Sequence, residues 1–316
     1  MANFATGSFP NYLDGLADHA NAGLANLRKK SLYQKWMRVE DAKRLTEIKL
    51  DIENMGEASA WNEGAPRPEM SFSEGFSKSF TQQMYGGLAD ITKLMLKFDQ
   101  VGLYRQIMQQ LMLSTYKSRE IIATAYLENG DTALASVPIV AGKPIIQSVG
   151  GDNVTLFNAS HAWKSAGHTY RNIASTFVDL TETGINTQYV HIRRWTDSSN
   201  FPLDVNLSGI IFPPDQHSDA MKAMKSRLEH QTANNAINVA SLQVKGDMLM
   251  ENNLLTSTTD WYIKTDAKDA ELYWFSGWDD EVKTRQYNPR TGNECTTIDY
   301  SAAHGGCRVL SLFKVT

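Results

Sequence analysis

The sequence predicts an α+β fold that combines an extended β-hairpin, one long helix and a lobe of mixed strands and helices. Three observations carry this prediction. Two runs near the start alternate apolar and polar residues at strand spacing, and a polar stretch at 54–69 separates them. Residues 99–128 keep apolar residues at helical spacing. Strand-like and helical segments then alternate from 181 to 228.

An amphipathic helix is predicted to open the chain. The apolar residues at helical spacing in this segment include Leu13, Leu16 and Leu24. A basic cluster follows, formed by Arg28, Lys29 and Lys30. Such a cluster is usually a solvated face, but it can also meet phosphates or an acidic neighbour.

The hairpin follows this helix. In its first strand, Ile48, Leu50 and Ile52 alternate with polar residues, and its second strand carries Phe72, Phe76 and Phe80. The loop between them contains Trp61 and several Gly and Pro residues, which is typical of an extended tip. An isolated two-stranded hairpin is marginally stable in water. The hairpin therefore packs on its own domain or reaches a neighbouring subunit, and the pattern alone leaves both open.

Gly86 and Gly87 are expected to break the pattern after the hairpin, and 91–98 is predicted as a strand. Asp99 is then expected to cap the long helix, which Asn129 and Gly130 end. At 1.5 Å per residue such a helix is roughly 40 Å long, enough for the backbone of a flat, elongated domain.

The rest of the chain predicts a compact α/β lobe and further strands. A helix is predicted over 181–195 and a buried strand over 205–212, followed by Pro213 and a helix that Asp215 caps. The further predicted strands are 261–265, 271–275 and 309–315.

Composition excludes several classes of protein. The chain has 316 residues, of which 42% are hydrophobic, and this supplies a sizeable core. Its 31 basic and 35 acidic residues are nearly balanced, so whole-chain charge demands neither a nucleic-acid nor an anionic-membrane partner. No apolar run reaches membrane-span length, and no secretory signal pattern is present. Two cysteines do not form a disulfide scaffold, which fits a reducing cytosol.

No catalytic constellation is found, and the chain is expected to be neither an enzyme nor a cofactor carrier. Gly150 and Gly151 lack the spacing of a phosphate-binding loop, and His161 and His168 lack the one-turn spacing of helical metal ligands. A set formed by Cys295, His304 and Cys307 lacks a fourth ligand, so two unpaired thiols are expected.

Several segments, taken in chain order, resemble the major capsid proteins of tailed bacteriophages, especially those similar to the Mu-type major head subunit. The segments that carry the resemblance are DQVGLY at 99–104, NVTLFNASH at 153–161, RWTD at 194–197 with FPL at 201–203, IIFPPD at 210–215 and TDWYIKTD at 259–266.

The resemblance implies a tailed-phage major capsid fold divided into an N-terminal arm (1–44), an extended loop (45–86), a peripheral domain (87–171 and 259–316, with a spine helix at 99–128) and an axial domain (172–258). It implies a head protein that assembles as pentamers and hexamers into an icosahedral shell around double-stranded DNA. Because the arm begins almost at Met1, a separate scaffolding protein is expected, with a portal and a decoration protein as further partners and no membrane.

On this interpretation, the apolar residues of the first helix and of the hairpin are covered by neighbouring subunits. The expected interface residues are Leu13, Leu16, Trp61, Arg67, Phe72 and Phe76, and Arg28, Lys29 and Lys30 are expected to contact DNA or an acidic neighbour. The protein is expected in the virion, after assembly in the bacterial cytoplasm. The alternatives are an encapsulin-like compartment of the same fold and a metal-dependent enzyme.

Overall fold

The computed structural model describes residues 8–53, 58–70, 73–92, 98, 102–132, 137–138, 145–165, 167–226, 237–238, 240, 249–268, 270–287 and 294–316. The helices are α1 (Ser8–Lys29), α2 (Leu103–Asn129), α3 (Glu182–Arg193) and α4 (His217–Lys225). The strands are β1 (Arg38–Asp41), β2 (Thr46–Ile52), β3 (Glu74–Thr81), β4 (Gln83–Ile91), β5 (Val137–Pro138), β6 (Ile145–Ile146), β7 (His161–Ala162), β8 (Thr169–Tyr170), β9 (Leu207–Phe212), β10 (Leu249–Glu251), β11 (Trp261–Thr265), β12 (Leu272–Tyr287), β13 (Glu294–Gly306) and β14 (Leu312–Val315).

The first large sheet has the strand order β1-β12-β13-β4, in which only the β1–β12 pair is parallel. The predicted strand at 271–275 is the beginning of the much longer β12. The sequence pattern missed β13, because this strand carries few large apolar residues among its small and polar ones. β13 nevertheless lies between two other strands of the sheet.

Gly86 and Gly87 lie inside β4, so the expectation that they break the pattern is wrong. A Cβ at Gly86 would lie 3.2 Å from the carbonyl oxygen of Ile298, and one at Gly87 would lie 3.2 Å from a methyl group of Leu111. Glycine at these positions lets β13 and helix α2 approach β4 closely. Of the strand predicted at 91–98, Ile91 is the last residue of β4 and Thr92 lies beyond that strand, whereas residues 93–97 lie outside the described residues.

Helix α2 begins at Leu103, after Gly102 in the left-handed region (φ 72°), and not at Asp99. The predicted Asp99 cap lies outside the described residues. The helix buries Met108 and Met112 on its N-terminal half and is buried nearly all round from Ile122 onward. It ends at Gly130 as predicted. A Cβ there would lie 2.5 Å from the Tyr126 carbonyl oxygen and 2.7 Å from the Phe157 ring, a space that only glycine fits.

The second large sheet, ordered β10-β9-β11-β14, is covered on both faces. Residues on one face, including Ile211, Tyr262 and Leu312, join the core under α2. Residues on the other face pack against α3 and α4, among them Ile210, Trp261, Ile263 and Phe313. Thr181 caps α3 by accepting a hydrogen bond from the Gly184 N–H. Asp215 does not cap α4, because it lies in a 3₁₀ turn at Pro214–Gln216 that precedes the helix.

Helix α1 packs along α2 of the same subunit. Its Ala17, Ala20 and Leu24 are buried in one cluster with α2 residues that include Met108 and Met112. The amide side chain of Asn21 also accepts a hydrogen bond (2.8 Å) from the Val282 N–H of β12. The expectation that a neighbouring subunit covers Leu24 is therefore wrong, because its own subunit buries this side chain.

Candidate subunit-interface surfaces

The hairpin formed by β2 and β3 turns the polar residues of β2 toward its own subunit. The Lys49 ammonium lies 2.8 Å from the Glu40 carboxylate and 4.6 Å from the Tyr273 ring centroid. Asp51 pairs with Arg308 at 2.8 Å. These contacts connect the first strand of the hairpin to β1, to β12 and to the C-terminal segment.

Glu53 holds the end of β2 against the loop after β7. Its carboxylate is buried and accepts hydrogen bonds from the N–H groups of Lys164 (2.6 Å) and Ser165 (3.0 Å). Burial alone would raise the pKa of Glu53, but the Ser165 and Lys164 donors outweigh it, so the pKa lies below its ordinary value. Glu53 therefore stays ionised and fixes the stem of the hairpin.

The second strand also contacts its own subunit. Phe80 is 1% exposed and its ring centroid lies 5.5 Å from that of Phe275. Phe76 is half-buried, and its carbonyl oxygen accepts a hydrogen bond from the Cys307 thiol (3.4 Å). The expectation that these two residues remain uncovered within the subunit is wrong for Phe80 and only partly met for Phe76. Phe72 lies outside the described residues.

The opposite side of the hairpin is apolar and faces solvent. Ile48, Leu50 and Ile52 are 67%, 49% and 64% exposed, and the residues opposite Ile48 and Leu50 on β3 are serines. We call the three apolar residues the outer face. A strand of a single subunit normally turns apolar residues inward. This strand does the reverse, which indicates a surface that another molecule covers.

The tip of the hairpin carries Trp61 and Arg67 together. The Trp61 indole N–H donates to the Ala65 carbonyl oxygen (2.6 Å), and the Arg67 guanidinium lies 5.4 Å from the Trp61 ring centroid. Trp61 is 46% exposed, and the rest of the described tip, 58–70, is exposed as well. Trp and Arg are enriched among residues that dominate binding energy at interfaces.

The predicted residues of α1 are divided between described and undescribed parts. The side chains of Leu13 and Leu16 lie outside the described residues. Arg28 is half-buried, whereas Lys29 and Lys30 are exposed at the C-terminal end of the helix. Cations there complement the helix dipole, which gives the cluster a structural reason in addition to any contact with a partner.

The side chains considered for metal chemistry do not converge. His161 is buried and bonded to Asp152 (2.7 Å) and Asn172 (3.1 Å). Cys295 and Cys307 form no disulfide, because they lie near opposite ends of β13, roughly 40 Å apart at strand spacing. Within the described part of the chain, no group of three or more His, Cys, Asp or Glu side chains is placed to hold a metal ion. His161 is thus held by hydrogen bonds, and neither cysteine is part of a disulfide, as expected.

None of the helices in the described ranges is both long and apolar enough to cross a bilayer.

Comparison with known protein families identifies the family to which this chain belongs. A sequence model described as phage capsid protein matches residues 75–305, well over half of the chain. The chain belongs to the phage capsid protein family. As a capsid protein it is a structural component of the virion. The predicted phage capsid family is confirmed, whereas the resemblance to the Mu-type major head subunit stays a prediction. No curated protein matches its sequence.

Solved structures confirm the predicted fold. The capsid of a native GTA particle matches with a TM-score of 0.55 at 10% identity, covering 90% of this chain and 89% of that one. A chain of Microbacterium phage Oxtober96 matches with a TM-score of 0.53 at 10% identity and 90% coverage of both. A capsid of bacteriophage JBD30, decorated with minor capsid protein trimers, matches with a TM-score of 0.51 at 12% identity, covering 72% and 91%. The capsid protein therefore has the tailed-phage major capsid fold.

Proposed function

We propose that this capsid protein assembles as pentamers and hexamers into a closed icosahedral shell around packaged double-stranded DNA. One observation supports the proposal in addition to family membership. The polar side chains of the hairpin are paired within their own subunit, whereas its apolar outer face is uncovered. Burial of apolar area is the main favourable term in protein association. In a closed shell every copy covers the outer face of another, and many modest contacts add up.

The proposed contacts between copies extend from the outer face to the tip and to the first helix. The residues proposed for the interface are Leu13, Leu16, Trp61, Arg67, Phe72 and Phe76. Of these, Trp61 and Arg67 have the exposure that an interface needs. Phe76 offers only the half of its surface that its own subunit leaves open. Outer-face residues Ile48, Leu50 and Ile52 join this set.

The proposed domains follow the family fold: an N-terminal arm (1–44), an extended loop (45–86), a peripheral domain (87–171 and 259–316) and an axial domain (172–258). The second large sheet combines β9 and β10, from the proposed axial segment, with β11 and β14, from the proposed peripheral segment. The two domains would thus share a sheet, and we expect them to move little relative to each other.

Further partners are proposed on chemical grounds. Lys29 and Lys30 are exposed and with Arg28 suit contact with DNA phosphates or with an acidic neighbour. A portal and a scaffolding protein would complete assembly in the host cytoplasm. A decoration protein is proposed because the structurally similar JBD30 capsid carries minor capsid protein trimers. None of these roles requires a catalytic group or a cofactor.

Electron microscopy of the purified, concentrated protein tests the proposal. We expect closed shells of hundreds of copies, whereas a single small oligomer at every concentration would contradict it. Nucleic-acid analysis of shells purified from infected cells should find DNA. A protein cargo without DNA would indicate an encapsulin-like compartment instead, and stoichiometric zinc would support the metal-enzyme alternative.

A further inference from the structure

A cleft beside the C-terminal end of α3 is strongly basic. It has a volume of about 510 Å³ and is lined by residues of β8 and α3 and by the segment that follows α3. Its positive charge comes from Arg171 and Arg194, which line it together with His191, and the lining contains no Asp or Glu. The cleft therefore carries positive charge that no lining carboxylate balances, although the chain as a whole has a net charge of −4.

The arginines of this cleft are free to bind an anion. Arg171 donates its Nε–H to Nε2 of His191, which leaves its terminal nitrogens for a ligand. Within the described part of the chain, neither Arg171 nor Arg194 forms an ion pair. Burial, aided by the nearby Arg171, lowers the pKa of His191, so its neutral ring acts as the acceptor that orients the guanidinium.

The opposite end of the same helix carries the complementary charge. A cleft of about 580 Å³ at the N-terminal end of α3 is lined by Asp179, Glu182 and Asp219. Lys222, its one basic lining residue, pairs with Asp219 at 3.1 Å. Asp179 and Glu182 form no ion pair within the described residues. The two clefts are separated along the 12-residue helix by about 18 Å.

We propose that the basic cleft formed by Arg171 and Arg194 binds the Asp179 and Glu182 carboxylates of a second copy of this chain. The contact is head-to-tail, because the basic cleft and the acidic cleft lie at opposite ends of α3. Repeated head-to-tail contacts close into a ring when the rotation between neighbouring copies divides a full turn evenly. Arginine suits this role because its planar guanidinium binds carboxylates through two hydrogen bonds. The inference rests on the proposed function and specifies how copies within one pentamer or hexamer recognise each other.

A charge swap between the two exposed members tests the contact. Arg194 and Asp179 are both exposed, so Arg194→Asp and Asp179→Arg leave the subunit core intact. We expect each single variant to reduce the yield of shells about tenfold and the double variant to restore most of it. Lys225→Asp is the matched control, because Lys225 is an exposed cation on α4 outside both clefts, and it should assemble like the wild type.

Sedimentation velocity on the same variants, below the concentration at which shells close, measures the contact between copies directly. The inference is overturned if the single variants associate like the wild type, or if the double variant fails to recover. It is also overturned if the single variants form normal shells that lose DNA, because that would assign the cleft to DNA phosphates. Absence of shells in the wild type would instead contradict the proposed function, while the charge-dependent association could still be observed.

Discussion

Arg308 and Asp51 form an ion pair, 2.8 Å long, that joins the C-terminal segment to the first strand of the hairpin. Both side chains are 11% exposed, and the Arg308 guanidinium also lies 3.9 Å from the Trp163 ring centroid. The subunit itself therefore sets the direction in which the hairpin leaves it. We therefore expect the hairpin to contact a neighbouring copy without a further entropic cost of ordering it.

Removal of one partner of this pair should destabilise the subunit. Asp51→Ala leaves the Arg308 charge buried and uncompensated, so we expect the free energy of unfolding to fall by about 3 kcal/mol. Urea denaturation measures the change. Glu69→Ala, which removes a carboxylate from the exposed tip, is the control and should change stability by less than about 0.5 kcal/mol. Equal midpoints for both variants would show that the ion pair does not hold the hairpin.

Gly130 should not tolerate even a methyl group. Gly130→Ala places a Cβ within 2.5 Å of the Tyr126 carbonyl oxygen, so we expect a loss of about 3 kcal/mol on thermal or urea unfolding. Gly15→Ala makes the same chemical change on α1, where nothing lies within 4 Å, and should stabilise by about 0.5 kcal/mol. Similar effects at the two positions would contradict the close approach of α2 to Phe157.

His304 should make stability depend on pH. Its ring is buried between the Tyr85 hydroxyl (2.8 Å) and the Tyr126 hydroxyl (2.7 Å), and burial lowers its pKa from 6.5 to about 4. At pH values between about 4 and 6.5, the His304 ring is protonated in the unfolded chain and neutral in the folded chain. The contribution is therefore present above the unfolded pKa and is lost as pH falls from about 6.5 toward about 4.

Urea denaturation at two pH values measures this effect. We expect His304 to account for about 2 kcal/mol of lost stability between pH 7 and pH 5. His304→Gln should flatten that part of the pH dependence, whereas His168→Gln, at an exposed position, should keep it. A His304→Gln variant with the full wild-type dependence would assign the effect to other groups.

The outer face should matter for assembly and not for the subunit. Ile48 is 67% exposed, so Ile48→Glu should leave the free energy of unfolding within about 0.5 kcal/mol of the wild type. In a shell the new carboxylate would be buried without a partner, and shell yield should fall sharply. Ile48→Val keeps the apolar surface and is the control. Normal shells from Ile48→Glu would remove the outer face from the interface.

Deletion of the tip separates folding from assembly in another way. Removal of 54–69 leaves the stem, which the Glu53 N–H closes by donating to the Ser73 carbonyl oxygen (3.1 Å). We expect a folded subunit that melts cooperatively but forms no closed shells, as seen by circular dichroism and light scattering. Shells of normal size from this variant would mean that the tip serves no neighbour.

Sequence patterns predicted the elements whose spacing is local. The β2–β3 hairpin, α2, α3 and β9 could be predicted because apolar residues recur along each with its own period. β13 escaped prediction because its place depends on two distant strands and its buried residues include Thr296 and Ser301. Helical spacing also does not rank the apolar residues of α2, since Ile107 and Leu111 are only half-buried beside the buried Met108 and Met112.

The orientation of the hairpin could not be predicted from its own residues. A strand with Ile48, Leu50 and Ile52 normally turns those side chains inward. Here Asp51 finds its partner 257 residues further along the chain, at Arg308, and Glu53 finds donors more than 100 residues away. The spacing of apolar and polar residues along one strand cannot indicate partners that are so distant in the sequence. The basic cleft was missed for the same reason, since Arg171 and Arg194 come from different elements.

A cryo-EM reconstruction of the assembled particle would show directly what lies against Ile48, Leu50 and Ile52. We predict that a neighbouring copy covers this outer face and that the Trp61 tip contacts that copy or the next one. A closed shell in which the outer face remains open to solvent, or in which the hairpin has turned this face onto its own subunit, would contradict it.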